Sequence, residues 1–538
     1  MIPLLHRAVT AQAERRPDAI ALVMGAEIIS YQALETTSNQ LAHLLREAGC
    51  AKGDRICLLM PKSPQAIACM LGILKADCLY VPLDPASPAP RLGKILASCE
   101  ASLILGAGNV LPVLSEVVGQ SDAATKPRIG WMSQQEPSDP TVRPFFHLKD
   151  LSRYPGSQPD SSAEPGDPAH ILFTSGSTGA PKGVVITHAN VVSFLEWAHH
   201  YFGTAPEDRV SGHPPLHFDL STFDIFGTLS AGATLYLVPG ELTLFPQKVT
   251  EFIRHNELTQ WFSVPSALVY MARFDAIRQN DFPTLKRLLW CGEVFPTPSL
   301  IYWMQRLPHV QFTNLYGPTE ATVASSYYTV PECPADPKQA VPIGTPCSGE
   351  QLLVLDEHLS PAPPGQPGDL YIAGTGLSPG YWQDQDKTSS AFLFRQGADG
   401  ATSRVYRTGD LARQDADGLF YYLGRSDSQI KSRGYRIELG EVETAVHSVI
   451  GIRECAVVAI PSTDFEGHTI CCAYVCDPDR SLSPADLRRE VSALLPQYML
   501  PSRWLTIERF PKNANGKIDR PALREQFQAA HALENHAQ

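Results

Sequence analysis

The chain has 538 residues, 43% hydrophobic and 19% charged, with a formal net charge of −12. That is ordinary globular usage at a length that supports two or more domains, and the acidity argues against a general nucleic-acid binder, which needs a basic surface. No run approaches the ~18 apolar residues of a membrane span, residues 1–18 lack the apolar stretch of a signal peptide, and the 12 cysteines contain no zinc-like pair of C-x-x-C units. The expectation is a cytoplasmic protein with reduced thiols and no membrane span.

In chain order, helical spacing runs from Leu4 to Arg15. Ile20-Ala-Leu-Val23 and Glu27-Ile-Ile-Ser-Tyr31 read as strands around a turn at Gly25, and a helix follows to about Gly49. Arg55 to Met60 is a buried-type strand, Pro64 to Lys75 a helix, and Tyr80 to Asp84 and Ala101 to Leu105 are extended. Continuous apolar strands alternating with helices predict parallel α/β layers. Residues 106–168, rich in Pro, Ser, Asp and Gly, read as a variable surface excursion with a short strand at Ile129-Gly-Trp131.

The stretch from Thr174 to Lys182 stands out. Eight of its nine residues are Gly, Ser, Thr, Pro or Lys, and apolar runs lead in and out. Gly176 and Gly179 let backbone N–H groups approach an anion, while Thr174, Ser175, Ser177, Thr178 and Lys182 supply further donors. A polar hairpin tip is the plain alternative. It is not a Walker loop, because Lys182 follows Gly179 by three positions and is itself followed by Gly183.

Beyond it, Asn190 to Phe202 is helical. Leu216-His-Phe-Asp-Leu-Ser-Thr-Phe-Asp-Ile-Phe226 then sets Asp219 among apolar neighbours, where a carboxylate wants a cation; an N-cap is the structural alternative. Asp224, five residues on, reads as structural. Trp261 to Pro265 and Leu288 to Glu293 are strand ends meeting turns, and Asn314-Leu-Tyr-Gly-Pro-Thr-Glu320 offers an aromatic for a planar base and a carboxylate for Mg²⁺. Tyr406-Arg-Thr-Gly-Asp410 places a carboxylate after a glycine. Gly424 to Lys431 is short and polar and precedes a second α/β pattern: a helix from Leu439 to Val449, strands at Cys455 to Ile460 and Thr469 to Val475, and a helix from Ser483 to Leu495. Pro511-Lys-Asn-Ala-Asn-Gly-Lys-Ile-Asp519 projects Lys517 from an Asn515-Gly516 turn, and residues 524–538 look like a ragged amphipathic end.

These motifs together resemble the adenylate-forming enzymes, the superfamily of amino-acid adenylation domains, acyl-CoA synthetases and luciferases, from about Leu5 to Leu523. The segments at Ile29 to Leu34 and Leu74 to Pro85 resemble scaffold motifs of the same superfamily, the second departing from the usual small residue at Asp77. The resemblance implies an α/β fold: a large N-terminal domain (1–426) of layered sheets with helices, and a small mobile C-terminal α+β domain (427–538). It implies ATP and Mg²⁺, with the hydroxyl loop and Lys182 on the departing pyrophosphate and Glu320 on the metal. Tyr316 and Asn314 would take the adenine, with Gly292 and Gly317 beside the nucleotide. Thr319 would reach the α-phosphate region, Asp410 and Arg425 the ribose, and Tyr422 the nucleotide border. Lys517 would be the catalytic cation, Asp427 the hinge, and the loop at Gly434 part of a thiol tunnel.

Phe218-Asp219-x-Ser221 is similar to the element whose Asp binds the α-ammonium group in amino-acid adenylation domains. Matched by motif, the side-chain pocket would be Leu220, Phe223, Ser263, Leu289, Cys291, Leu315, Val323 and Ala324. It is uncharged apart from Asp219 and Lys517, which disfavours charged substrates and suits proline, alanine or another small neutral amino acid. The pattern resembles stand-alone prolyl and alanyl activators. Only 21 residues follow Lys517, so the expected partner is a separate carrier protein bearing phosphopantetheine, served by a monomeric enzyme. The alternative is an acyl- or aryl-CoA synthetase. A non-catalytic nucleotide binder is expected to lack Lys517, Glu320 or Asp410, and all three are present.

Overall fold

The computed structural model describes residues 4–120, 126–176, 179–397, 400–462, 467–477, 479–480, 482–513 and 517–536. The chain forms two compact units. The first comprises Met1–Pro85, Leu96–Phe173 and Gly183–Ser426; the second comprises Ala86–Ile95, Thr174–Lys182 and Asp427–Gln538. No helix among the described residues is long and apolar enough to cross a membrane.

The first unit is an α/β structure of layered sheets. A nine-stranded sheet runs Thr345–Pro346, Ser326–Thr329, Gln311–Tyr316, Arg287–Cys291, Gln260–Ser263, Arg209–Gly212, Thr234–Leu237, Ile20–Met24, Glu27–Ser30, and its central neighbours are parallel. An eight-stranded sheet holds Leu79–Pro82, Arg55–Leu59, Leu103–Gly106, Arg128–Trp131 and Phe146–His147 in one parallel run. A third, antiparallel sheet is built around the long strand Thr402–Gln414. The interval 106–168 is more regular than its composition suggests. It carries the helix Leu111–Gln120, two strands of the eight-stranded sheet and the 3₁₀ turn Leu148–Arg153. The expected short strand at Ile129-Gly-Trp131 is the strand Arg128–Trp131, while Phe146–His147, two residues long, is too short to register above the surrounding Pro and Ser. The helix Ala89–Cys99 carries no expectation from the sequence at all.

Local chemistry explains the elements that do match. Ser63 caps the helix Pro64–Lys75 by accepting the Ala66 N–H at 3.2 Å, and Pro64 occupies the first turn, where a missing N–H costs nothing. Asp77 sits just beyond that helix at φ +62°, a left-handed position where a small residue is usual. Aspartate is among the side chains that tolerate it, and its carboxylate is used: it accepts from the Ser161 hydroxyl at 2.6 Å and the Ser162 N–H at 2.9 Å and pairs with Arg46 at 3.3 Å. Burial opposes this charge, but those donors and Arg46 outweigh it and hold the carboxyl below its usual range.

The second unit has its own core. The antiparallel strands Ile452–Pro461 and His468–Cys476, with Arg503–Thr506 parallel to the latter, pack Val457, Cys472, Leu487 and Val491 under the helices Leu439–His447 and Pro484–Ser492. The chain end is a helix, Arg520–His536, whose Leu523 and Phe527 are buried with Val458 and Ala473. An apolar stripe that has a sheet face to cover is therefore an integral layer, and within the described residues the expected ragged end is helical as far as His536.

Three helices of the first unit are tied by one buried cluster. The Lys75 ammonium pairs with Glu35 at 2.7 Å and donates to Asn39 at 2.7 Å, while the Thr10 hydroxyl donates to Glu35 at 3.0 Å. Burial pulls the lysine down to about 8, with Glu35 working the other way. Breaking a buried pair from one side costs ~3–5 kcal/mol. Glu35→Gln is accordingly expected to lower the urea unfolding free energy by about that much at pH 7, and a loss near zero would mean the cluster is not structural.

Candidate active site

In the first unit, the strands Gln260–Ser263, Arg287–Cys291 and Gln311–Tyr316 lie side by side in parallel, so their C-terminal residues share one edge of the sheet, where α/β sheets form ligand crevices. The register pairs Cys291 with Leu315 and Ser263 with Trp290. Strand alternation therefore puts Leu289, Cys291 and Leu315 on one face, and Ser263 and Asn314 on the other. Leu220, Phe223, Val323 and Ala324 join Leu289, Cys291 and Leu315 in one buried apolar cluster. The Ser263 hydroxyl instead meets His213 Nδ1 at 3.2 Å.

Asp219 opens the segment that delivers Leu220 and Phe223. It makes no side-chain cap on the short helix Leu220–Thr222, so the N-cap alternative does not hold. Its carboxylate accepts from the Thr319 hydroxyl at 2.7 Å. The helix then passes through a π-helical stretch, Phe223–Gly227, before Thr228–Ser230. Such stretches reorient side chains and are frequent at functional sites.

Tyr316, Asp410 and Arg425 come together although they are far apart in sequence. The Tyr316 hydroxyl donates to one oxygen of Asp410 and Arg425 Nη1 donates to the other at 2.7 Å. Burial and the Asp410 charge push the phenol well above its ordinary range, so it remains a donor. The Asp410 N–H is fixed by the Thr408 hydroxyl at 3.0 Å. Asn314 donates to the Pro342 carbonyl at 2.8 Å, and Tyr422 packs half-buried against the main core. Gly292 has φ +98°, and a Cβ on Gly317 would lie 2.7 Å from Ala324 Cα, so this turn tolerates no side chain.

Glu320 is fully buried and accepts from the Tyr381 hydroxyl at 2.8 Å. Among the described residues no group of three or more His, Cys, Asp or Glu could form a metal cage. One carboxylate is nonetheless what Mg²⁺ takes when it arrives with substrate phosphates, so the donor set fits a nucleotide-borne ion rather than a protein-only site. Two features lay beyond the motif reading. One is Tyr381, whose part shows only through a contact 61 residues away in sequence. The other is strain: Thr322 and Val323 have φ +55° and +68°, costly for β-branched residues.

The second unit holds the loop candidates. In the Thr174–Gly179 loop, a Cβ on Gly176 would lie 2.0 Å from the Ala180 carbonyl oxygen, so only glycine fits. Ser175 donates its hydroxyl to the Arg436 carbonyl at 2.7 Å and accepts the Glu438 N–H at 3.2 Å. The Gly176 N–H donates to the Glu441 carboxylate at 3.3 Å, which Arg91 also pairs. Gly179 has φ +82°, and Lys182 begins the strand Lys182–Thr187. Ser177, Thr178 and the Asn515-Gly516 turn lie outside the described residues. Asp427 accepts the Gln429 N–H at 3.0 Å, and Gly434 turns the hairpin between Gln429–Ser432 and Tyr435–Glu438 at φ +80°. Lys517 is exposed, its N–H bonded to Asn513 Oδ1 at 3.1 Å.

Residues 9–382 match the AMP-binding enzyme family and residues 441–517 match the AMP-binding enzyme C-terminal domain. The chain is 35% identical to an L-proline–[L-prolyl-carrier protein] ligase of Pseudomonas fluorescens, covering 98% of this chain and 99% of that protein. It is 35% identical to tyrocidine synthase 3 of Brevibacillus parabrevis over 95% of this chain but 7% of that much longer protein. Among solved structures, the Vibrio cholerae adenylation domain AlmE in complex with glycyl-adenosine-5'-phosphate superposes with a TM-score of 0.84 at 27% identity, covering 98% of each chain.

The Arg425–Asp410 pair is 11% and 7% exposed on its two sides. Arg425→Ala strands a buried carboxylate, a loss of ~3–5 kcal/mol. The expected outcome is a lower thermal midpoint together with at least tenfold weaker calorimetric binding of AMP; unchanged AMP affinity would separate Asp410 from the nucleotide.

Proposed function

Because the chain belongs to the AMP-binding enzyme family, we propose that it activates a small neutral amino acid, of the proline or alanine class, as an aminoacyl-AMP. We further propose that it passes the acyl group to the phosphopantetheine thiol of a separate carrier protein. The protein is an adenylate-forming ligase that uses ATP; the amino acid and the carrier are the proposed part. The observation that carries the reading is Asp219, a carboxylate held by Thr319 at 2.7 Å, with the uncharged, buried Leu220 and Phe223 one and four residues on. A carboxylate in that place has a partner in an α-ammonium group and none in a fatty or aryl acid, which counts against the CoA-ligase alternative. The full-length likeness to a prolyl-carrier ligase supports the same assignment.

In this reading residues 1–426 are the adenylation core and 427–538 the small domain that carries Lys517. The substrate carboxylate attacks the α-phosphorus of ATP, and the bond to the bridging oxygen breaks, so that pyrophosphate leaves with the electron pair. Neither a protein nucleophile nor a protein base is required; the work is positioning and charge stabilisation. Asp219 orients the amino group. Tyr316, Asp410 and Arg425 fix adenosine, and the loop donors with Lys182 take the pyrophosphate. Glu320, held by Tyr381, would bind Mg²⁺, which when present neutralises phosphate charge. Lys517 stabilises the extra charge at phosphorus. In the second step the carrier thiol attacks the acyl carbonyl carbon, AMP leaves, and the thiol proton passes to solvent. Asp427 is the proposed hinge between the two steps.

A pyrophosphate-exchange screen over D- and L-amino acids and simple carboxylic acids tests the substrate class. Exchange with proline or alanine and none with propionate or benzoate is expected; the reverse pattern overturns the reading. Lys517→Ala is expected to lower the adenylation rate about 10²–10³-fold, the loss associated with one preorganised donor. Asp427→Pro should retain exchange and lose thioester formation, and equal loss of both would remove the hinge role.

A further inference from the structure

We propose that Lys62 is a positioning residue for the amino-acid site: its ammonium anchors the segment from Gly212 to Asp219. This rests on the reading of Asp219 given above.

The strand Arg209–Gly212 ends and the chain runs without regular structure to the helix at Leu220. The Gly212 carbonyl still accepts the Val238 N–H at 3.2 Å; past it the ladder ends, and a buried backbone oxygen needs a donor. Lys62 donates to three successive carbonyls: Nζ reaches Gly212 and His213 at 2.6 Å and Pro214 at 3.3 Å. Lys62 enters from the other sheet, just after the strand Arg55–Leu59. It therefore ties the two large sheets at the point where the segment leaves.

The other end of the segment is tied as well. Ser221 donates to the Leu216 carbonyl at 3.1 Å and the Phe218 carbonyl at 2.7 Å, and Thr319 donates to Asp219. Lys62 and Thr319 thus hold the two ends of the stretch whose last residue is the proposed ammonium acceptor.

Asp224 is 1% exposed. Burial holds its carboxyl well above the usual carboxylate range, with the Lys62 charge and the His213 N–H working the other way. Lys62 is only half-buried as a side chain, yet its ammonium is enclosed closely enough that burial draws it down to about 7, with Asp224 acting in the opposite direction. The His213 ring packs on Trp261 at 4.9 Å, and burial and Lys62 draw it down to about 3. It therefore stays neutral beside the cation.

A small displacement of a positioning group is enough to cost about 10²-fold in rate. The test compares pyrophosphate exchange with L-proline and L-alanine against their des-amino counterparts, cyclopentanecarboxylate and propionate. Lys62→Met is expected to raise the KM for the amino acid at least tenfold, to leave the KM for ATP within about threefold, and to shrink the preference for the amino acid over its des-amino counterpart at least tenfold. Lys62→Arg should recover most of that preference. Lys62→Gln, which keeps a donor without the charge, should shrink it in the same direction and carries the test if Lys62→Met does not fold. An unchanged preference in these variants, with activity lost equally on both acids, overturns the proposal and leaves Lys62 a structural tie. Asp219→Ala run alongside separates the two levels. If it too leaves the preference intact, the reading of Asp219 fails and this proposal with it; if only Asp219→Ala abolishes it, the reading stands and the role of Lys62 falls.

Discussion

A carboxylate taken out of water must be given donors or a cation, or its burial costs more than the fold recovers. The first unit hangs its candidate chemistry on carboxylates held in this way. Asp410 is gripped by Arg425 and Tyr316, Glu320 by Tyr381, and the half-buried Asp219 by Thr319. Each partner also fixes an orientation. Arg425 and Tyr316 occupy different oxygens of Asp410, so the group cannot rotate without losing one bond, and the Thr408 hydroxyl fixes the backbone beneath it. The same rule operates where no chemistry is proposed: Glu35 and Lys75 join three helices by it.

The turn after Tyr316 adds a second constraint. Thr322 and Val323 adopt left-handed backbone angles that β-branched residues avoid, at ~1–3 kcal/mol each. They persist because their surroundings hold them. The Thr322 hydroxyl donates to Gly376 at 2.7 Å, the Ser325 N–H to Tyr316 at 2.7 Å, and the Ser378 N–H to Glu320 at 2.9 Å. Gly317 closes the turn where a Cβ would strike Ala324. Tyr316, Thr319, Glu320, Val323 and Ala324 are therefore set by one tightly bonded turn.

The sequence showed local features well and long-range partners poorly. Ser63-Pro64 opens a capped helix, and the helix Pro64–Lys75 has the bounds its spacing predicts. The apolar Ile129-Gly-Trp131 marks the strand Arg128–Trp131, whereas Phe146–His147 is two residues long and leaves no periodicity to read. The site divides in the same way. Residue types concentrated in a turn, such as Tyr316 to Glu320, carry their chemistry in the motif. Tyr381 as the holder of Glu320 and Lys62 as the neighbour of Asp224 are products of topology, and no window along the chain contains both members. Ser263 shows the converse: its motif places it with the pocket, whereas strand alternation turns it to the face of Trp290 and His213.

The pocket's composition bears on how the proposed substrate would be told from its neighbours. Leu289, Cys291, Leu315, Val323 and Ala324 are all buried and offer no charge and little hydrogen bonding. Such walls discriminate by volume, and a methylene more or less is worth only ~1–3 kcal/mol. Proline and alanine differ by two carbons and a ring closure, so the walls alone give a graded preference between them. Discrimination between an amino acid and a plain carboxylic acid is a different matter. In the proposed reading it depends on whether the Asp219 carboxylate faces a cation or is left beside carbon, and a stranded carboxylate is more costly than a misfitted methyl group. The strict element of specificity in the proposed reaction is thus the class of the substrate, enforced by one carboxylate and the segment that holds it, while the size of the side chain is the permissive element.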